Sequence, residues 1–248
     1  MSLLITLARG DALRVVRDRF LAGLFTYVAL VALAFRFGLP WLEDELRARF
    51  GFELTPYRPL IGSYGALILG SVASGAIGGF LLLETKEEHT LDAVLVSPVP
   101  AGRFLALEAM LTAAVAFPAS VVAGLVIGHG LPPWPIFLAT CAVASMIAPA
   151  LALFVVSFAS DKVQAFAVLK IVGLIPVAAA GMWFVPEPWR WAAVVLPPYG
   201  PFEAWWRGAA GEPGWALFLV AGLCSSGSAI ALSYTRFVRQ VRQRGSGA

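Results

Sequence analysis

Long uncharged stretches, separated by short charged ones, set the pattern of this 248-residue chain. Residues 59–83 carry no Asp, Glu, Lys or Arg, and neither do residues 109–160. The second stretch is too long for one membrane crossing. Gly128-His129-Gly130-Leu131-Pro132-Pro133-Trp134-Pro135 interrupts it with turn-forming glycines and prolines. The pattern therefore predicts six membrane-spanning helices, at about 20–38, 59–83, 104–127, 135–158, 166–185 and 214–236. At about 1.5 Å per residue, a 22-residue helix covers roughly 33 Å, enough for the hydrocarbon core. The predicted fold class is all-α, a single transmembrane domain over residues 1–248.

Three segments outside these spans have a pattern of their own. In residues 2–18, Leu4, Leu7, Leu13 and Val16 stand among arginines, which predicts a helix lying in the membrane interface. Ala32-Leu33-Ala34 offers a small-residue cleavage site. However, the long preceding segment contains Asp11 and Asp18, so the first span is expected to be retained rather than removed as a signal peptide. WLEDELRARF at 41–50 predicts a short, separate amphipathic helix. Residues 186–212 combine Trp189, Trp191, Tyr199, Trp205 and Trp206 with five prolines. Amphipathic aromatics of this kind favour the headgroup level. The segment dips into the outer membrane surface, caps the bundle there, or forms an ordinary aromatic belt around an extracellular loop.

Composition agrees with a bilayer as solvent. Hydrophobic residues make up 59% and charged residues 13%, against about a quarter charged in soluble domains. Twelve of the eighteen Lys and Arg residues fall in the N-terminal segment, the second-to-third connection, the fourth-to-fifth connection and the C-terminal tail. The positive-inside bias places these on the cytoplasmic side, with both termini, in a multi-pass protein of the plasma membrane.

The chemistry-bearing motifs are few. There is no phosphate-binding GxxxxGK[ST], no GxSxG and no HExxH. Cys141 and Cys224 lie in apolar runs, as small packing residues do. His89 and His129 lack metal partners in sequence and read as solvated side chains. No metal or catalytic residue is expected, and no cofactor bound by this chain. Glu108 and Lys170 fall just inside the inner ends of their spans. They either snorkel to the surface or form an ion pair between the third and fifth spans.

The remaining signal is the insert at 84–100. Glu84, Lys86, Glu87 and Glu88 lead into Thr90, then Leu91, Val94 and Leu95 at helical spacing, and Ser97-Pro98 ends the helix. A charged face beside a short apolar stripe suits a helix that docks on a soluble partner. The alternative is a solvated loop. Lys86-Glu87-Glu88-His89-Thr90-Leu91, with Leu95 and Ser97-Pro98, resembles the [KR]-E-x-G-T-L-x-x-x-L-x-[ST]-P signature of type-2 ATP-binding-cassette permeases. That group includes drug, antibiotic and polysaccharide exporters. His89 stands where the group usually has glycine. DALRVVRDRF (11–20) resembles the interfacial entry helix of the group, and LPPYGPFEAWW (196–206) the segment before its last span.

The resemblance implies a six-span permease subunit that pairs with a like or unlike permease. It implies a separate cytoplasmic ATPase subunit that carries ATP and Mg and drives alternating access. The coupling contacts it implies are Glu84, Lys86, Glu87, Glu88, His89, Thr90, Leu91 and Leu95, with Asp161 and Lys162 as a second contact. The nearly uncharged spans suit an apolar or amphipathic substrate, and nothing in the chain suggests nucleic acid. Other classes, a membrane-embedded enzyme or an ATP-independent channel or carrier, would need intramembrane polar clusters that the spans lack.

The charge asymmetry gives a topological prediction. Single cysteines at Ser2, Arg47, Glu88 and Arg244, in a background without Cys141 and Cys224, are exposed to an impermeant maleimide on intact cells. Only the Arg47 position is expected to react, and labelling at Glu88 would invert the topology.

Overall fold

A computed structural model describes residues 19–87 and 101–245. The interfacial segment 2–18 lies outside the described residues, as do Glu88, His89, Thr90, Leu91 and Leu95 of the insert. Every regular element among the described residues is helical. Six helical stretches are long and apolar enough to cross a membrane: Thr26–Phe50, Thr55–Thr85, Leu105–Ile127, Trp134–Phe158, Lys162–Phe184 and Trp215–Phe237. Consecutive spans run in opposite directions. Thr85, Leu105, Phe158, Lys162 and Phe237 therefore share one end of the bundle, called here the insert end. The opposite, turn end carries the tight connection around Gly128 and Gly130.

The first span differs from its sequence reading. Arg19–Phe50 is one helix of 32 residues that passes through Pro40, with no separate helix at 41–50. Proline removes the hydrogen bond to the carbonyl four residues earlier, here Arg36. That carbonyl faces His129 Nε2 at 3.3 Å. A carbonyl only accepts, so the contact requires the proton on Nε2. Arg36 in turn donates from Nη1 to the Val126 carbonyl at 2.9 Å. His129, expected to be solvated, thus helps carry the helix past its proline. At about 1.5 Å per residue such a helix runs roughly 48 Å, beyond the hydrocarbon thickness. Near its end, Glu43 accepts hydrogen bonds from Thr55 Oγ1 at 2.5 Å and Arg58 Nη2 at 2.7 Å, fixing the start of the second span.

The second and fourth spans form the core, with 72% and 78% of their apolar windows buried, whereas the first and fifth reach only 11% and 17%. Small residues bring the core helices together. A Cβ on Gly75 would lie 2.8 Å from the Ala148 carbonyl oxygen, and one on Gly70 would lie 2.4 Å from the Ser120 amide nitrogen. Apolar side chains gain little by leaving lipid for protein, so close backbone approach supplies the attraction between spans.

Two spans are broken at their middles. The fourth consists of Trp134–Ser145 and Ile147–Phe158, and the fifth of Lys162–Val172 and Leu174–Gly181 before a short 3-10 turn at Met182–Phe184. Pro149 lacks the N–H that would bond Ser145, and Pro176 lacks the one that would bond Val172. Each break falls three residues before its proline.

Between the fifth and sixth spans, a 3-10 turn at Trp189–Val195 leads to Pro197-Pro198 and then the helix Tyr199–Ala210. This helix lies inside the protein. Tyr199, Phe202, Ala204 and Trp205 are fully buried. Trp205 Nε1 donates to the Gly130 carbonyl at 2.8 Å, and Trp206 Nε1 donates to Ser63 Oγ at 2.9 Å. These bonds let two indoles be buried without leaving their donors unmet. Gly211, at φ 71°, ends the helix in the left-handed conformation that glycine adopts without strain.

Gly200 meets the sixth span so closely that a Cβ there would lie 2.5 Å from the Phe218 carbonyl oxygen and 2.6 Å from Gly222 Cα. Gly200→Val is therefore expected to push the helix off the span and lower the detergent-solubilised Tm, at an overpacking cost of about 1–3 kcal/mol. Gly227→Ala, with open space at its Cβ position in a helix interior, should not lower the Tm. Equal Tm values for the two variants in a tryptophan-fluorescence melt would refute this packing.

Candidate functional site

Two polar constellations stand at opposite ends of the bundle. At the insert end, the helix of the second span runs on to Glu87, so Glu84, Lys86 and Glu87 continue it directly. At the same end the fourth span passes into the fifth through a built turn. Asp161 caps that helix by accepting from the Gln164 amide at 2.8 Å, while Gln164 Oε1 accepts from the Ser160 amide and hydroxyl. An acidic cap satisfies an otherwise unmet N–H and favours the positive end of the helix. Lys162, in the first turn, places Nζ 2.5 Å from Glu84 Oε1. Two candidate residues 78 positions apart in sequence are thereby joined. The ion pair locks the end of the second span to the start of the fifth, below a contact of Phe80 with Phe166 at 5.1 Å between ring centroids.

Glu108 and Lys170 are not brought together. Glu108 is buried on the third span, and Lys170 is exposed in the last turn of Lys162–Val172. The third and fifth spans both pack against the second, which stands between them. Lys170 forms no ion pair with Glu108, and the snorkelling alternative fits its exposure.

At the turn end lies a cluster that the sequence reading passed over. Glu203 is 1% exposed, on the buried helix Tyr199–Ala210. Its Oε1 is 2.9 Å from Arg207 Nε and 3.4 Å from Arg190 Nη1, and Tyr199 donates its hydroxyl to Oε2 at 3.4 Å. Arg207 also pairs with Glu187, and with Glu212 at 3.7 Å. Burial works against the Arg207 charge, but the hydrogen bond and charge of Glu203, with Glu187 and Glu212 behind, outweigh it and raise its pKa. A buried carboxylate with two guanidinium partners is stable, whereas losing one partner leaves a costly unpaired charge. The available signal was Glu203 four residues before Arg207, a spacing that puts the two on one helix face.

Among the described residues no group of His, Cys, Asp and Glu has the geometry of a metal site. Charge is gathered at the bundle ends, while the spans between are bound together by small and apolar residues.

Residues 11–234 match the family described as "Fluoroquinolones export permease protein Rv2686c-like". The chain is 28% identical over 240 residues to the fluoroquinolones export permease protein Rv2686c of Mycobacterium tuberculosis (strain ATCC 25618 / H37Rv), an alignment that covers 94% of this chain and 93% of that protein. The same identity and coverage hold for the fluoroquinolones export permease protein MT2760 of Mycobacterium tuberculosis (strain CDC 1551 / Oshkosh). The match takes in all six spans and the polar clusters at both ends, and this chain belongs to the Rv2686c-like family of fluoroquinolone export permeases.

Proposed function

We propose that this chain is the membrane-spanning permease subunit of an ATP-driven exporter of the ATP-binding-cassette class. The insert end faces the cytoplasm and docks on a separate ATPase subunit, which binds ATP and Mg. The exported compounds are fluoroquinolone-like: flat, aromatic and amphipathic. The observation that carries this reading is the Lys162–Glu84 pair, beside the charged stretch that begins at Glu84. It makes one charged surface out of the two connections at the insert end. Force applied there passes into the buried second span and the peripheral fifth span together. Family membership and the signature-like run from Lys86 to Pro98 support the same conclusion.

In this reading residues 84–95 form the coupling helix, with Glu84, Lys86, Glu87, Glu88, His89 and Thr90 toward the ATPase and Leu91 and Leu95 seated on the bundle. Asp161 and Lys162 supply the second contact. Residues 2–18 lie in the cytoplasmic interface. The buried helix Tyr199–Ala210 closes the outer end, where its indole hydrogen bonds and the Glu203 cluster hold it. The first and fifth spans leave apolar faces open, with Tyr27, Leu30, Phe37, Ile171 and Leu174 exposed. A second permease subunit covers part of these faces and lipid the rest.

Reversing Glu87 and Glu88 to lysine should leave the bundle folded, since neither lies within a span. Their reversal is expected to weaken ATPase retention by about tenfold or more, because charge reversal at an interface affects both steering and contact. Leu91→Asp should uncouple by detaching the helix from its seat. Wild-type ATP hydrolysis and co-purification in the folded charge-reversal variant would reject the coupling role.

The Lys162–Glu84 tie has a separate test. The pair is partly exposed, so either single reversal should cost only about 0–1 kcal/mol of stability. Glu84→Lys and Lys162→Glu are each expected to lower permease-stimulated ATP hydrolysis, and the double exchange to restore it. If the exchange does no better than the worse single variant, the pair does not transmit coupling.

A further inference from the structure

Two adjoining cavities lie beside the fourth and sixth spans, the inner one lined by the second and fifth as well, and they differ in chemistry. The inner one, of about 270 Å³, sits at mid-bundle and is almost wholly apolar. Its walls include Ile147 and Gly173, beside the two proline breaks, and it is bounded by Pro197-Pro198 at the start of the buried helix. Both proline breaks border this space, as expected where a proline interrupts the helical hydrogen bonds. The outer cavity, of about 690 Å³, opens toward the insert end between Phe154, Phe158 and the last turns of the sixth span. Phe154, Ala229 and Ser233 line both.

The outer cavity carries a specific recognition surface. Phe154 and Phe158 stack face to face in the cavity wall, with centroids 4.3 Å apart and planes 23° from parallel. Arg236 places Cζ 3.8 Å from the Phe158 centroid. Arg239 lines the same mouth one turn on. Among the described residues no carboxylate pairs with either arginine. In contrast, Arg49, Arg58 and Arg207 are matched by Glu45, Glu43 and Glu203. The wall is held in place by Ser157 Oγ, which donates to the Ser233 carbonyl at 3.1 Å and ties the fourth span to the sixth.

We infer that these cavities form one binding site for an amphipathic aromatic carboxylate, entered from the insert end. The carboxylate lies between Arg236 and Arg239, whose guanidinium forks match its geometry. Phe154 and Arg236 already cover the two faces of Phe158, so the ring system lies in the inner chamber, beside Phe154 and Ala229, which line both cavities. A compact chamber ended by Pro197-Pro198 suits a rigid ring more than a long acyl chain, because a rigid ligand loses less conformational freedom on binding. Ligand pockets of this kind are mostly apolar with a few convergent polar groups. Pro197-Pro198 separates the chamber from the turn end, so release on that side requires the buried helix to move. This site rests on the exporter reading above for its physiological role, but not for its existence.

The test uses the full-length protein in phosphatidylcholine nanodiscs and the fluorescence of norfloxacin, compared with its methyl ester. The wild type should bind the acid about tenfold more tightly than the ester, since a hydrogen bond to a charged group commonly contributes that much or more. Arg236→Gln/Arg239→Gln should abolish the preference while keeping ester affinity. Ala229→Phe, at a half-buried position that accommodates a larger side chain, should weaken both ligands at least tenfold. Equal acid and ester binding by the wild type, or unchanged binding by Ala229→Phe, would overturn the site. Loss of norfloxacin binding on replacing phosphatidylcholine with phosphatidylglycerol would also overturn it, assigning the cavity to an acidic lipid. Norfloxacin efflux from cells expressing these variants with the ATPase separates the two readings. Normal efflux by both variants removes the site and leaves the exporter. Acid-selective binding without efflux or ATPase stimulation leaves the site and removes the exporter.

Discussion

A backbone amide or carbonyl in hydrocarbon has no water to turn to, and each one left unmet costs several kcal/mol. Helices meet that demand within themselves, so six of them account for the bulk of this molecule. The departures from regular helix are more instructive. Pro40, Pro149 and Pro176 each free a carbonyl, and the carbonyl freed by Pro40 finds His129. The breaks before Pro149 and Pro176 both border the inner cavity. The irregular stretch 185–198 is partly exposed, with Trp189 and Val195 on the surface, before it leads into the enclosed helix Tyr199–Ala210. The broken spans thus supply space of the kind a transporter needs.

Packing divides the bundle into a fixed part and a peripheral part. The second and fourth spans meet through Gly75 and Ala148, and the second meets the third through Gly70 and Ser120. Interfaces this tight leave no room for sliding. The buried helix is held to the sixth span by Gly200 and Gly222, and to the turn end by two indole hydrogen bonds. In contrast, the first and fifth spans contribute little to the core. The fifth meets the core through an exposed ion pair, an aromatic contact, and the packing of Ala165, Val168, Leu169 and Val172 beside Phe80 and Leu83.

The charges are arranged to the same end. Glu203 is buried, yet Arg190, Arg207 and the Tyr199 hydroxyl surround it, and the interior polar cost falls on a helix that must stay in place. Polar networks of this type rigidify where they are fully satisfied. At the insert end the pairs are exposed and individually weak. A strong clasp at one end and weak ties at the other leave the insert end as the more adaptable half.

The sequence by itself determined the number of spans, because a 52-residue uncharged run broken by Gly and Pro admits no other division, and hydropathy depends on composition alone. It also determined the class of protein, because the run from Lys86 to Pro98 is a local motif readable without neighbours. It did not foretell that Arg19–Phe50 is one helix, since the partner for the Arg36 carbonyl lies 93 positions away. Nor did it indicate the Glu84–Lys162 pair, which depends on the second and fifth spans ending side by side. The Glu108–Lys170 pairing failed for the converse reason: equal depth in the membrane does not make two helices neighbours. The aromatic segment at 186–212 could be read as a cap or as a belt, because tryptophan suits both a membrane interface and a protein interior with a hydrogen-bond partner. Tertiary structure divides the segment: it places the Gly130 carbonyl and Ser63 hydroxyl opposite the buried Trp205 and Trp206 and leaves Trp189 and Trp191 exposed. The cavities were invisible for the same physical reason: empty space belongs to the packing of several helices and to no single stretch of chain.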